Sequence, residues 1–120
     1  MNMLNSLIIE GDVTRRLEKK PNWSDFELVS VRYNEVDGEM VEEKDYFTVE
    51  VFGKLAEISE NKLVNGRGVR VVGRLKQHRW KNEEGKEYSR VVVIAEHIEF
   101  KRYVAPEERA EEAQEKPIEA

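Results

Sequence analysis

The sequence predicts an all-β protein, a five-stranded Greek-key barrel with one short helix between the third and fourth strands. Two observations predict it. Stretches rich in β-branched and aromatic residues recur five times, separated by Gly, Asn or Asp turn signals. One intervening stretch, after the third, changes to helical spacing. A chain of 120 residues also has room for one core rather than two.

Residues 5–13 (NSLIIEGDV) read as the first strand, and Gly11 inside it marks a bend or a close backbone approach. Residues 25–34 (DFELVSVRYN) form the second. Asp37-Gly38 then marks a turn within a polar loop of about ten residues. Residues 46–52 (YFTVEVF) alternate strictly, giving the third strand, which Gly53 stops. Residues 54–63 (KLAEISENKL) form the helix. Leu55, Ile58 and Leu63 fall along one face, and Asn65-Gly66 ends it. Residues 68–80 (GVRVVGRLKQHRW) are the fourth strand, interrupted by Gly73. The turn at residues 82–85 (NEEG) leads into the fifth, residues 88–100 (YSRVVVIAEHIEF), whose apolar period shifts near Ala95 as a bulge would shift it. Three strands, a helix and two strands fit a barrel of the OB type. Another small barrel or an α+β sandwich shares much of this pattern.

The barrel domain is placed at residues 1–103. Residues 104–120 change to Pro, Glu, Ala and Gln without an apolar stripe, and read as an acidic disordered tail. The whole chain carries 20 Lys plus Arg against 25 Asp plus Glu, a net of −5. Six Glu against Arg109 and Lys116 put −4 of this in the tail, so the body is near neutral and can hold a basic face. There is no cysteine, hence no disulfide, thiolate zinc site or thiol nucleophile. Two histidines, both read as surface residues, no H-E-x-x-H and no phosphate-cradling glycine loop argue against an enzyme. No metal or other cofactor is expected. The start has no basic n-region or cleavage site, and no apolar run approaches the about 20 residues that span a bilayer. The expected location is the cytoplasm, on the nucleoid.

Strand alternation sorts the faces. In the third strand Phe47, Val49 and Val51 are assigned to the core. Tyr46, Thr48, Glu50 and Phe52 share the other face, so two aromatics lie where polar residues belong. In the fourth, Val69, Val71, Gly73 and Leu75 are assigned inward, opposite Arg70, Val72, Arg74, Lys76, His78 and Trp80. Exposed rings interleaved with cations suit single-stranded nucleic acid. Bases stack on rings and Lys or Arg neutralise phosphates, whereas a duplex hides its base faces. Glu50 runs against this pattern. The structural use of the same residues is packing: outward aromatics covered by a loop, a helix or a second subunit, and Trp23 as a structural apolar residue.

Several strings, in order over residues 4–100, resemble the bacterial single-stranded DNA-binding protein family. Residues 5–11 (NSLIIEG) resemble its opening strand and residues 13–15 (VTR) its L-T-R segment. Residues 52–57 (FGKLAE) match its F-G-K-L-A-E directly. Residues 71–75 (VVGRL), then Trp80 and Gly85, resemble its V-x-G-x-L…W…G pattern. The resemblance implies an OB barrel without catalytic activity or cofactor, assembled as a homotetramer, that binds and protects single-stranded DNA in replication, recombination and repair. It implies stacking by Tyr46, Phe52 and Trp80, with Tyr33 nearby. It implies phosphate contacts by Arg15, Lys54, Lys76 and Arg79, with His78 at a commonly basic position. Arg74 joins this set on alternation alone.

The chain departs from the family pattern in places. Arg16-Leu17 replaces D-P, Asn65 replaces a lysine, and tyrosine stands for tryptophan at positions 33 and 46. Family members commonly end in an acidic tip finishing Pro-Phe, which recruits replication and repair proteins. This chain ends in residues 115–120 (EKPIEA), so recruitment through such a tip is not expected. Two other uses of the same barrel stay open: a protein-interaction module, such as a primosome accessory subunit, and an RNA-binding domain.

Overall fold

The computed structural model describes residues 1–101, so the segment expected to form the acidic tail lies outside the described residues. Five strands and one helix follow in the expected order: β1 (Leu7–Lys19), β2 (Trp23–Val36), β3 (Glu39–Phe52), α1 (Gly53–Ser59), β4 (Gly68–Lys81) and β5 (Glu87–Phe100). They close into a barrel in the order β1-β2-β3-β5-β4. Every pairing is antiparallel except β3 with β5.

β1 serves both ends of the sheet. Leu7–Asp12 pair with β4, and Asp12–Lys19 pair with β2. The strand must therefore bend, and Gly11 allows it, because a Cβ there would run into the carbonyl of Val29. Two register shifts, between Val13 and Arg15 and between Arg16 and Glu18, carry β1 six residues past its expected end. Its apolar pattern stops at Val13, but backbone pairing to β2 needs no apolar side chain.

The loop of about ten residues expected after β2 is instead a tight hairpin. β2 and β3 remain paired from Trp23↔Phe52 out to Val36↔Glu39. Asp37 and Gly38 turn the chain with φ of 51° and 81°, the left-handed region that a two-residue hairpin turn requires. The extension is polar because it projects beyond the core, so composition alone hid it. The helix is also shorter than expected. It ends at Ser59, burying Ala56 and Ser59, and Ile58 points to solvent. Leu63 still reaches the core through a turn whose amide N–H groups, those of Lys62 and Leu63, donate to Ser59 O.

The core gathers Val13, Phe26, Leu28, Val49, Val51, Leu63, Val69, Val71, Val93, Ala95 and Ile98, so each strand supplies alternate residues to it. The expected bulge near Ala95 is present. Val72 pairs with His97 and Gly73 with Ala95, leaving Glu96 extra on β5. Gly73 is buried where a Cβ would strike the carbonyl of Ile94. Two residues assigned to the core, Phe47 and Leu75, are not in it. They follow the inward alternation, but β3 and β4 overshoot the end of the barrel there. Both rings and methyls are half-exposed and line an open groove with Leu7, Ile9, Val31 and Val93. Asn5 clamps that end, its amide accepting from Leu75 N–H and donating to Leu75 O, at 3.0 and 2.9 Å.

Candidate nucleic-acid interface

The outer face of the β2–β3 ribbon is set by register. Trp23 stands opposite Phe52, Asp25 opposite Glu50, Val29 opposite Tyr46 and Tyr33 opposite Glu42. The four aromatics singled out from the sequence are all exposed in part: Tyr33 45 %, Tyr46 55 %, Phe52 48 % and Trp80 48 %. Tyr46, Phe52 and Trp80 are held by strand geometry. Tyr33 is further out on the hairpin, and a hydrogen bond to the Glu42 carboxylate raises its phenol above the usual range.

Two of these rings have a stacked partner. Phe52 lies on Trp23, centroids 6.1 Å apart and planes at 22°. Trp80 lies on Tyr88, centroids 5.8 Å apart and planes at 16°. Trp23 is half-buried, in keeping with its structural assignment, and it supports Phe52. Tyr88 was missed. The signal that finds it is the tight turn at residues 82–86, where Asn82 N–H donates to Lys86 O; counting back across it sets Tyr88 directly opposite Trp80. Lys86 Nζ lies 5.4 Å from the Tyr88 ring centroid, adding a cation to this end.

The cations divide into distinct groups. Among the described residues, Lys54, Arg74, Lys76 and Arg79 have no carboxylate within ion-pair distance. Lys54 is exposed at the start of α1, where Gly53 (φ 60°) turns the chain out of β3 beside Phe52. Arg74, Lys76, His78 and Trp80 share one face of β4 by uninterrupted alternation. Arg79 falls on the other face, its guanidinium donating to Gln77 Oε1 at 2.7 Å. Arg15 is exposed near the β2–β3 face but lies 3.6 Å from the Glu27 carboxylate. Arg70, on the same row as Arg74, is committed elsewhere. Its guanidinium bonds Glu10 and Glu99, and with Lys101 it holds the Glu10 carboxyl below the usual carboxylate range.

Glu50 is outward, as alternation requires, yet it is buried to 7 % exposure. β3 and β5 pair at two positions, Val49↔Val93 and Glu50↔Ile94; beyond them the β4–β5 ribbon has no backbone pairing with β3. That ribbon brings His78 Nε2 to 2.9 and 3.0 Å from the two Glu50 oxygens. His78 is therefore half-buried against a carboxylate rather than a freely solvated surface residue.

The model of the single-strand binding protein family matches residues 4–101. The chain belongs to that family. A single-stranded DNA-binding protein of Aquifex aeolicus is 40 % identical over 87 residues, covering 72 % of this chain and 58 % of its own. One from Helicobacter pylori is 32 % identical, covering 82 % and 58 %. The chain thus spans somewhat under two thirds of the length of these relatives. The fold agrees with that of a single-stranded DNA-binding protein from Thermus aquaticus, with a TM-score of 0.70, 28 % identity, and coverage of 82 % of this chain and 51 % of that one. It agrees also with a Plasmodium falciparum protein solved with single-stranded DNA, with a TM-score of 0.73, 18 % identity, and coverage of 85 % and 98 %. Family members of this kind are binding proteins rather than enzymes.

Proposed function

We propose that this chain binds single-stranded DNA without regard to base sequence and protects it during replication, recombination and repair, on the nucleoid in the cytoplasm. One observation carries the reading: half-exposed rings and uncompensated cations share the outer surface of a barrel of this family. Bases stack on Tyr46, Phe52 and Trp80, and on Tyr33 along the hairpin, each stack contributing about 1–3 kcal/mol. Lys54, Arg74 and Lys76 neutralise phosphates and release counterions. Arg15 does so in competition with Glu27, and Arg79 contacts phosphate only where the strand crosses to the second face of β4. No cofactor takes part.

The chain works as a homo-oligomer, a homotetramer on the family pattern. The groove of Leu7, Ile9, Val31, Phe47 and Leu75, with exposed Ile8 beside it, supports this, since side chains of core type stand in solvent there. Replication and repair proteins are natural partners of such an assembly.

The test is affinity for a thymidine oligonucleotide across a salt series, with duplex as competitor. The proposal requires steep loss of affinity with salt and no displacement by duplex. Salt-insensitive binding would contradict the phosphate contacts.

A further inference from the structure

Three carboxylates stand in register across the outer face of the barrel. Glu18 on β1 is opposite Asp25 on β2, and Asp25 is opposite Glu50 on β3. Like charges so placed repel. Asp25 and Glu50 are each only 7 % exposed, so water screens them poorly. Glu18 has Lys20 at 3.0 Å. Asp25 has one buried oxygen, Oδ1, without a hydrogen-bond partner. Burial foremost, then the charges of Glu18 and Glu50, raise its carboxyl above the ordinary range, against the pull of Arg90. Glu50 is met by His78, whose row also carries Arg74, Lys76 and Trp80.

A buried carboxylate beneath a phosphate-binding surface lowers affinity, and the fold could have avoided it with an apolar residue. We propose that Glu50 is a positioning residue that holds His78 at the strand-binding surface and ties strand affinity to the proton on that imidazole. The inference rests on the reading of the barrel as a binder of single-stranded DNA.

The electrostatics follow from the pair's charge. With neutral imidazole the pair carries −1 and repels a phosphate. With imidazolium it carries zero and the repulsion is gone. An imidazole changes charge between about pH 5 and 8. A bound strand therefore favours the protonated pair, binding takes up a proton, and affinity rises as pH falls. The charged groups nearest the imidazole are Glu50 from β3, with Asp25 from β2 and Glu18 from β1 in register beyond it, Arg90 opposite His78 on β5, and Lys76 on its own strand.

The test measures affinity of the full chain for a thymidine oligonucleotide from pH 8.5 to 5.5 at fixed ionic strength. Wild type is compared with Glu50→Gln and His78→Gln, each checked by thermal melting. Wild type is expected to tighten toward low pH. Glu50→Gln is expected to bind about threefold to tenfold tighter at pH 8, because one negative charge has left the surface. His78→Gln is expected to lose the rise toward low pH. That slope is read within one variant, so it stands even where Glu50→Gln melts early. A slope that survives in His78→Gln places the proton on another group, such as Asp25, and overturns the inference. Equal or weaker binding by Glu50→Gln at pH 8 overturns it too. Failure of wild type to bind at any pH would remove the proposed function itself, whereas strong binding without a pH slope removes this inference alone.

Discussion

Trp80 and Tyr88 face each other across the β4–β5 ribbon as a stacked pair, so the indole presents its second face to solvent already oriented. A ring held in this way gives up little freedom when a base stacks on it. Trp80→Ala is expected to weaken oligonucleotide binding by about 1–3 kcal/mol, and Tyr88→Ala by less, through loss of that support. Equilibrium titration checks both. Asp25 bears on stability. Its carboxyl is raised in the folded chain, so the ionised form opposes folding. The penalty is fully present above the raised value and disappears as pH falls below the ordinary carboxylate value of 3.8. Asp25→Asn is expected to stabilise the chain at neutral pH by up to about 1 kcal/mol and to remove that part of the pH dependence. Urea unfolding at pH 7 and pH 4 measures it. Alternation in the sequence placed Tyr46, Phe52, Trp80 and His78 outward. It could not show that Glu50 is buried, because that burial comes from a different ribbon folding against it.

At the scale of the strands, two glycines fix how the sheet closes. Gly73 lies where the bulged β5 passes closest to β4, and a methyl group there meets the Ile94 carbonyl. Gly73→Ala is expected to cost about 1–3 kcal/mol, as overpacking does, measurable as a lowered melting temperature. The same positions show what could be read in advance. Gly11 signalled a bend or close approach and the shifted period near Ala95 a bulge, because such features restrict residue type directly, whereas Gly73 read only as an interruption of its strand. Strand ends were illegible for the opposite reason. β1 beyond Val13 and the outer halves of β2 and β3 pair through their backbones beneath polar side chains, which leaves no apolar alternation to read. Phe47 and Leu75 mislead in the same way: alternation gives the face of a strand but not whether the barrel extends beneath it. On β4, Lys76→Ala is expected to weaken binding at all oligonucleotide sequences alike and to reduce the slope of log affinity against log salt by about 0.7, the value for one phosphate on a single strand.

The whole molecule separates its charge from its surface chemistry. In a chain of net −5, Lys54, Arg74, Lys76 and Arg79 have no carboxylate at ion-pair distance among the described residues, while the end with Arg70, Glu10, Glu99 and Lys101 satisfies its charges internally. The groove that Phe47 and Leu75 line is the face proposed above for assembly. Replacing Phe47 with Glu is expected to lower the solution mass measured by light scattering, and an unchanged mass would remove that face from the assembly. Stacking on this outer surface is the proposed basis of single-strand binding. It is tested most directly by tryptophan fluorescence during titration with a long thymidine oligonucleotide, at low and high salt, for wild type and Trp80→Ala. The chain has two tryptophans, and Trp23 supports Phe52, so the variant still reports on the second ring pair. Stoichiometric quenching that duplex does not reverse is expected, with most of the signal and part of the affinity lost in Trp80→Ala. Absence of quenching and of binding by wild type at low salt would contradict it, and would leave the barrel as a surface for a protein partner.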